Sequence, residues 1–585
     1  QPSGQAFPSM RKGETPIYPR QNRGMSPGLA GGNSGGGAEI FADWTDNPSD
    51  VYRNMFGVDF THTLSSRTFY EINLQGMFSD YNTYLPESAW RNPDEVAATI
   101  DGIDVDEAPM GYWYANIFSP SDMALGGHWA KARDSSTVAL YTAQFDITSQ
   151  LNHFTQLKAG LKGTYGDYKI NHRQKEIFFT NNSAPSYQWE RNPIQGAAYM
   201  QTKLEFQALV ANLGVRLDYW NAGGAWYKYD VYTQAFSASY GKDQLDELLE
   251  TEPTKPQTFL SPRLGISFPV TAESKIYFNY GHFRQMLDPH NLFSIREINT
   301  GAVDRIGNPS HPLPRTVSYE LGYEHSLFEQ LLVRLSGYYK AKDNQSRAVR
   351  YINLDGLVSY AHPEPLNYED IRGFELTLRK NSGRWFRGFA NYTYMVVKEG
   401  NFGFSQQYEN RSEQRQHERL SRAHYQELPV PQPYGRFNLE FFTPFEFGPT
   451  LAGVKPLADL HMSLLGEWRS GRAFTWTGQV EILGLEDNVR WSDYFNVDLR
   501  VSKNFRIFES VNTQLFVDFR NVFNLKHLHM DSFYGDYDWE YYMESLHLAE
   551  DTFKDNEAPY NYMAGDDRPG DYRKSGSEFV PIEIA

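Results

Sequence analysis

Val210-Ala211-Asn212-Leu213-Gly214-Val215-Arg216-Leu217-Asp218-Tyr219 alternates without a break. Successive side chains of a strand point to opposite sides. Ala211, Leu213, Val215, Leu217 and Tyr219 therefore share one face, and Asn212, Gly214, Arg216 and Asp218 share the other. The same period of two recurs along the chain. Tyr141, Ala143, Phe145 and Ile147 alternate with Thr142, Gln144 and Asp146, and Val317, Tyr319, Leu321 and Tyr323 with Ser318, Glu320, Gly322 and Glu324. Leu331/Val333/Leu335, Phe374/Leu376/Leu378, Val497/Leu499/Val501 and Leu515/Val517/Phe519 repeat the pattern.

Alternation alone fits a soluble sandwich with one wet face or a transmembrane barrel with one face in lipid and one toward a lumen. Connector lengths separate the two. The pattern resolves into eight hairpins: 53–64 with 67–82, 137–149 with 155–170, 196–206 with 209–220, 261–270 with 274–286, 317–326 with 331–342, 372–381 with 385–397, 433–444 with 459–470, and 495–505 with 511–523. Within hairpins the turns are short, apart from 445–458; between them lie long segments such as 83–136, 221–260 and 398–432. Short and long connectors in alternation are the signature of a bacterial outer-membrane barrel, with short periplasmic turns and long outer loops. Strands of about 10–15 residues exceed the usual five or six of soluble sheets and suit tilted membrane-spanning strands. Aromatics near strand ends, among them Tyr165, Tyr219, Tyr339, Tyr392 and Phe441, are where interfacial girdles place them, though cross-strand packing also uses such rings.

Composition agrees. The chain has 585 residues, 15 % aromatic and 22 % charged, no cysteine and a net charge of −17. A mean hydropathy of −0.59 beside so many aromatics is what alternating strands with long polar loops produce. No apolar run of about 18 residues marks a membrane helix. Disulfide scaffolds and thiol chemistry are excluded. An acidic balance argues against nucleic acid as partner. The Gly-rich segment 25–38 lacks the Lys-Ser/Thr and the strand–helix frame of a phosphate loop and reads as a flexible connector.

Several stretches resemble the TonB-dependent outer-membrane receptors. Phe60-Thr61-His62-Thr63-Leu64-Ser65-Ser66-Arg67-Thr68-Phe69-Tyr70-Glu71 looks like one of their periplasmic hairpins, and so does the run from Asn192 to Phe206. Leu260-Ser261-Pro262-Arg263-Leu264-Gly265 is similar to a strand of that family. Val497 to Phe505, followed by Asn521-Val522-Phe523-Asn524, looks like its late-barrel signature. The resemblance covers roughly residues 50–580 and implies an all-β, antiparallel up-and-down barrel of about 22 strands around a plug. Residues 53–524 supply sixteen strands with their extracellular loops. Residues 1–52 are expected as outer loop and partial strand, and 525–585 as an outer loop before a closing strand. Plug, first strands and last strand are expected to lie outside this sequence. The implied function is energised uptake of a scarce nutrient (siderophore, cobalamin, glycan or peptide) across a Gram-negative outer membrane, without catalysis. The implied partners are a TonB-type energy-coupling protein acting through the plug, lipid and lipopolysaccharide, and a surface lipoprotein lid. A passive porin or adhesin barrel and a soluble carbohydrate-binding β-protein are the rival readings; a barrel hydrolase is a minor one.

Two groups of residues are candidates for contact. On the polar faces, Arg216, Asp218, Glu320, Arg334, Glu375, Arg379, Asp498, Arg500, Asp518 and Arg520 are expected to line the lumen and, by the resemblance, to hold the plug. Pairing among themselves is the plainer role. In the loops, Tyr112, Trp113, Tyr114, Trp491, Trp539, Tyr541 and Tyr542 are candidates for ligand contact, because amphipathic rings suit flat ligand faces; packing of loop on loop is the alternative. Asp536–Leu548 reads as a short loop helix, and the charge-dense stretch Glu409–Glu427 as a solvated, partly helical loop. No cofactor or metal is expected. Asp101–Glu107 and Asp531–Glu540 offer oxygen ligands for loop calcium but lack the full loop spacing, so solvated acidic loops are the plainer reading. His527 and His529 could place two imidazoles on one face of an extended chain, but no His-Glu-x-x-His pattern is present and a surface loop is the plainer reading.

Overall fold

The computed structural model describes residues 49–83, 98–100, 103–105, 132–174, 187–298 and 301–571, the last apart from 422–423, 427–429, 452–454, 479–481, 483–484, 508–510, 531–532, 534–535, 555, 557 and 559–561. Sixteen long strands carry the fold: β1 (Ser49–Ser65), β2 (Thr68–Thr83), β3 (Thr137–Gln150), β4 (Thr155–Gln174), β5 (Ile194–Phe206), β6 (Leu209–Asn221), β7 (Gln257–Thr271), β8 (Ser274–Arg284), β9 (Arg315–Leu327), β10 (Leu331–Ile352), β11 (Ser359–Lys380), β12 (Phe386–Phe402), β13 (Tyr434–Phe442), β14 (Leu460–Arg469), β15 (Tyr494–Ile507) and β16 (Val511–Phe519). Each pairs antiparallel with the next, in one meander from β1 to β16. All eight hairpins legible in the alternation are present. Among the described residues β1 pairs only with β2, and β16 only with β15, so this sheet is open at both ends.

The turns are closed by local side-chain bonds that spare the ladder. Ser65 Oγ accepts the Arg67 amide at 3.2 Å between β1 and β2, and Asn152 Oδ1 accepts that of Phe154 at 2.9 Å between β3 and β4. Such Asx- and Ser-turns compete well with regular structure.

The apolar faces of the strands are not buried. Leu213, Val215 and Leu217 of β6 are exposed, as are Leu260 of β7 at 64 % and Leu321 of β9 at 58 %. A soluble protein rarely shows contiguous apolar surface of this kind, whereas a barrel wall must offer it to lipid. Aromatic rings form level rows on that outward side. Tyr141 of β3 and Tyr165 of β4 lie directly opposite, with ring centres 6.4 Å apart. Tyr280, Tyr319 and Tyr339 make a second row across β8, β9 and β10 at 5.1 and 6.3 Å. Rows at one height are the arrangement a girdle at a lipid–water boundary requires.

The buried cores lie in the long connectors and at the strand ends that meet them. Trp226, Phe236, Leu245, Val303, Ile306 and Tyr360 form one, Trp220, Leu287, Leu292, Phe293 and Leu313 a second, and Val489, Met543, Leu546 and Leu548 a third. The long connectors are thus not simply polar. Nor is 343–371 a loop: β10 and β11 run 22 residues each and turn only at 353–358, where Gly356 takes a φ of +72°. Beyond the lipid the ladder no longer needs an apolar face, so Ala341–Ile352 continues as strand with its alternation gone. The short strands Val303–Ile306 and Gln406–Tyr408 are zipped in parallel onto this ribbon. The helices read at 536–548 and 409–427 are present as Asp536–Glu544 and Arg411–Leu420, the second capped by Asn410 Oδ1 on the Ser412 amide at 2.9 Å. Among the described residues no helix is long and apolar enough to cross a membrane.

Leu321→Arg places a cation in the middle of the outward face. In lipid vesicles it is expected to lower the unfolding free energy by about 2–4 kcal/mol. Urea titration measures this; a loss below about 0.5 kcal/mol, as for an ordinary surface change, would put that face in water.

Candidate functional site

Strand register sets the inner face. Asp146 of β3, Gly160 of β4, Tyr199 of β5 and Arg216 of β6 follow one another across the wall. A Cβ at Gly160 would fall on the Tyr199 ring, so the missing side chain lets that ring lie against the wall. The Tyr199 hydroxyl donates to Asp146, which also accepts from Gln144 at 2.6 Å. Two residues on, Arg216 Nε donates to Asp218 at 2.6 Å.

The same device returns on β8–β10. Tyr277 stands opposite Gly322, where a Cβ would again meet its ring. Its hydroxyl donates to Glu320 at 3.0 Å, and Asn279 adds a second donor at 3.3 Å. Glu324 accepts from Lys275 at 2.8 Å and from Arg334 at 2.6 Å. Further round, Arg500 grips Asp518 through two bonds of 2.6 and 2.8 Å. Asp498 accepts from Asn496 at 3.0 Å and from the Asn521 amide at 2.8 Å. Register puts Glu375 and Arg379 on the inner face of β11, opposite Ser336 and Leu332, and Arg520 follows directly on β16. Of the ten lumen candidates, the structure thus joins Arg216 to Asp218 and Arg500 to Asp518, while Glu320, Arg334 and Asp498 find other partners. Sequence reading did not single out Tyr277, Asn279, Lys275, Glu324, Asp146 or Tyr199 as site residues. Period-two patterning gives the face of a residue but not its neighbour; that depends on register across strands far apart in sequence.

The loop candidates divide. Tyr112, Trp113 and Tyr114 lie outside the described residues, as do Asp101, Asp106 and Glu107 and the segment 25–38. Trp491 and Trp539 stack at 5.8 Å, with Tyr542 at 6.0 Å from Trp491 and with Phe474 and Phe533 set edge-on against Trp539. Trp491 is 6 % exposed, and its indole N–H is held by the Leu528 carbonyl at 2.8 Å. Three of these rings therefore pack loop on loop, while Tyr541 on the same helix is 69 % exposed. Below this aromatic block, at the connector end of the inner face, opens a cavity of 750 Å³ bordered by Glu399, Tyr434, Arg469, Arg472, Phe474 and Asp487. His527 and His529 flank the Tyr494 ring, and His527 Nε2 bonds the Phe495 carbonyl at 2.8 Å. Asp531–Glu540 is only partly described and runs into the start of helix Asp536–Glu544. Among the described residues no three acidic or histidine side chains are grouped for a metal ion.

One ion pair fastens the C-terminal segment to the connector between β14 and β15. Arg568 donates to Asp493 Oδ1 at 2.6 Å, and the Gly471 amide donates to the same oxygen at 3.0 Å. Burial pushes the Asp493 carboxyl up, but the Gly471 amide and the Arg568 charge outweigh it and hold the group below its usual value of 3.8. The whole arrangement is a wall of fixed, largely self-neutralised charge under a packed outer cap. It offers hydrogen bonds to a large polar body inside, or to a solute passing through.

Comparison with known proteins adds the following. The family model "TonB dependent receptor-like, beta-barrel" matches residues 3–525. No curated protein matches. Among solved structures, the copper transporter OprC aligns over 84 % of this chain and 63 % of its own at 12 % identity, with a TM-score of 0.49. FpvA of P. aeruginosa bound to pyoverdine aligns over 83 % and 54 % at 11 % identity, TM-score 0.49. The ferric-catecholate import receptor Fiu of E. coli K12 aligns over 82 % and 61 % at 12 % identity, TM-score 0.47. The chain spans less than two thirds of the length of each of these.

Acid should release the C-terminal segment. A depressed carboxyl pKa contributes stability that is complete above the unfolded value and lost as pH falls through the folded one. Cleavage within 536–571 by an acid-active protease is therefore expected to rise only below pH 3.8. Asp493→Asn should show cleavage in the same segment at neutral pH with a neutral-active protease that spares the parent protein, read by mass spectrometry of the fragments.

Proposed function

The chain belongs to the TonB-dependent receptor family, as its β-barrel portion, and from that premise we propose that it forms the barrel wall of an energised transporter for a scarce nutrient. The family's setting is the outer membrane of Gram-negative bacteria, and the exposed leucine and tyrosine faces of β3–β10 suit that lipid environment. The observation that carries the reading is the family match over residues 3–525 together with an inner face lined by Arg216–Asp218, Lys275–Glu324–Arg334 and Arg500–Asp518.

In this reading the long connectors face outward and the short turns face the periplasm. The ligand, a siderophore, cobalamin, glycan or peptide, is caught at the outer end, with Tyr112, Trp113, Tyr114 and the exposed Tyr541 as contacts, Tyr541 standing on the helix that the Trp491–Trp539–Tyr542 stack packs. The inner-face charges hold a plug. An inner-membrane coupling protein pulls on that plug, and a surface lipoprotein lid closes the outer side. Because the wall pairs most of its own charges, each contact to the plug is weak and many act together, so the plug can shift without one large barrier.

Deleting the gene is expected to abolish growth on one limiting nutrient of these classes. Uptake of that nutrient should also cease when the coupling protein is removed, while binding to the cell surface persists. Uptake that survives loss of the coupling protein would make this a passive pore. Replacing Arg500 and Asp518 together by Gln and Asn should loosen the plug and raise sensitivity to a bulky hydrophilic antibiotic several-fold, scored by minimum inhibitory concentration, with unchanged barrel abundance.

A further inference from the structure

We propose that the inner wall at the outer ends of β4–β8 holds a binding site for a small oxyanion-bearing ligand, formed by Trp220, Arg216, Arg284 and Lys162. The proposal rests on the reading above that this sheet is the barrel wall of a transporter. A cavity of 200 Å³ is bordered by these four residues together with Thr164 and Asp218. It is smaller than the about 300–1,000 Å³ of drug-sized sites and takes a single ring or short chain.

Three observations converge on an anion. The first is sign. Two guanidiniums and one ammonium face the cavity against the single carboxylate of Asp218, in a chain whose net charge is −17. Asp218 is already engaged by Arg216 Nε at 2.6 Å. The second is donor chemistry. Arg and Lys side chains donate and cannot accept, so only an acceptor satisfies them together. Trp220, 2 % exposed, borders the cavity beside them.

The third is rigidity. Arg284 donates one N–H to the Leu313 carbonyl at 3.0 Å, and its guanidinium lies over the Phe259 ring at 4.3 Å. Trp220 is packed among Leu287, Leu292, Phe293 and Leu313, which keep water from one side. A planar guanidinium fixed beside an apolar block binds carboxylate or phosphate through paired, charge-assisted bonds. The apolar connector core thus serves as the dry back of a charged site.

The test is calorimetric titration of the full-length protein in detergent with glucuronate, inorganic phosphate and uncharged glucose. At least one of the two anions should bind, more weakly as salt rises, and glucose should not; the stronger anion identifies carboxylate or phosphate as the group recognised. Arg284→Gln should weaken that binding at least tenfold, as expected for a charged hydrogen bond. Arg415→Gln on the outer helix should leave it unchanged. If Arg284→Gln does not fold by its heat-modifiable gel shift, Lys162→Gln at an exposed position takes its place, with a weakening of at least threefold expected. Failure of both anions, equal binding of glucose, or wild-type affinity in the cation variants overturns the site. Anion binding in a protein whose uptake needs no coupling partner overturns the transport reading and leaves the site standing; coupled uptake without anion binding does the reverse.

Discussion

Hydrocarbon offers no partner to a backbone amide or carbonyl, so a chain that crosses it by strands must pair every strand with a neighbour. The meander answers that demand for β2 to β15, each bonded to the strands before and after it, while among the described residues β1 and β16 are each paired on one side. Everything else follows from this ladder. Once pairing is continuous, the pleat sends alternate side chains outward and inward, and two solvents act on the two faces. Outward lie Leu213, Val215, Leu260 and Leu321; inward lie Asp146, Arg216, Glu320 and Glu324.

The usual order of a globular protein is thereby turned over. Strands that would normally bury their leucines expose them, and compact apolar clusters form instead in the connectors, which in most proteins are thin and polar. The cause is the same in both places. Among the described residues the wall is one layer thick with no second large sheet packed on it, whereas the connectors are long enough to fold against one another. Trp226 with Phe236 and Tyr360, and Trp491 with Trp539, show the result. These clusters fix the rim of the barrel, and through Trp220 and Arg284 they also shape its inner surface.

On the inner face, geometry is set by glycine and register rather than by any motif. Gly160 and Gly322 leave room for the Tyr199 and Tyr277 rings to lie flat, and each hydroxyl then reaches a carboxylate, on β3 and on β9. Charge is distributed and mostly paired, so the wall is polar without being sticky at any one point. The surplus of cation beside Trp220 departs from that rule.

How much of this is legible without coordinates differs by level. All sixteen strands, their hairpin partners and the two loop helices can be read from alternation, connector length and charge, because these depend on neighbours within a few residues. The family resemblance is legible too, carried by short runs such as Val497 to Phe505. The outward extension of β10 and β11 is not, since beyond lipid the ladder survives while the alternation that reveals it does not. The partners of Glu324, the burial of Trp491 and the cavity under Leu313 are likewise hidden, because they join residues tens or hundreds of positions apart. The sequence by itself determined which face of each strand meets lipid, since side-chain period is a local property of the extended backbone. Only the tertiary structure decided which inward charges meet and which connectors pack together, since those contacts arise when distant strands fall into register and the long connectors fold over the wall they close.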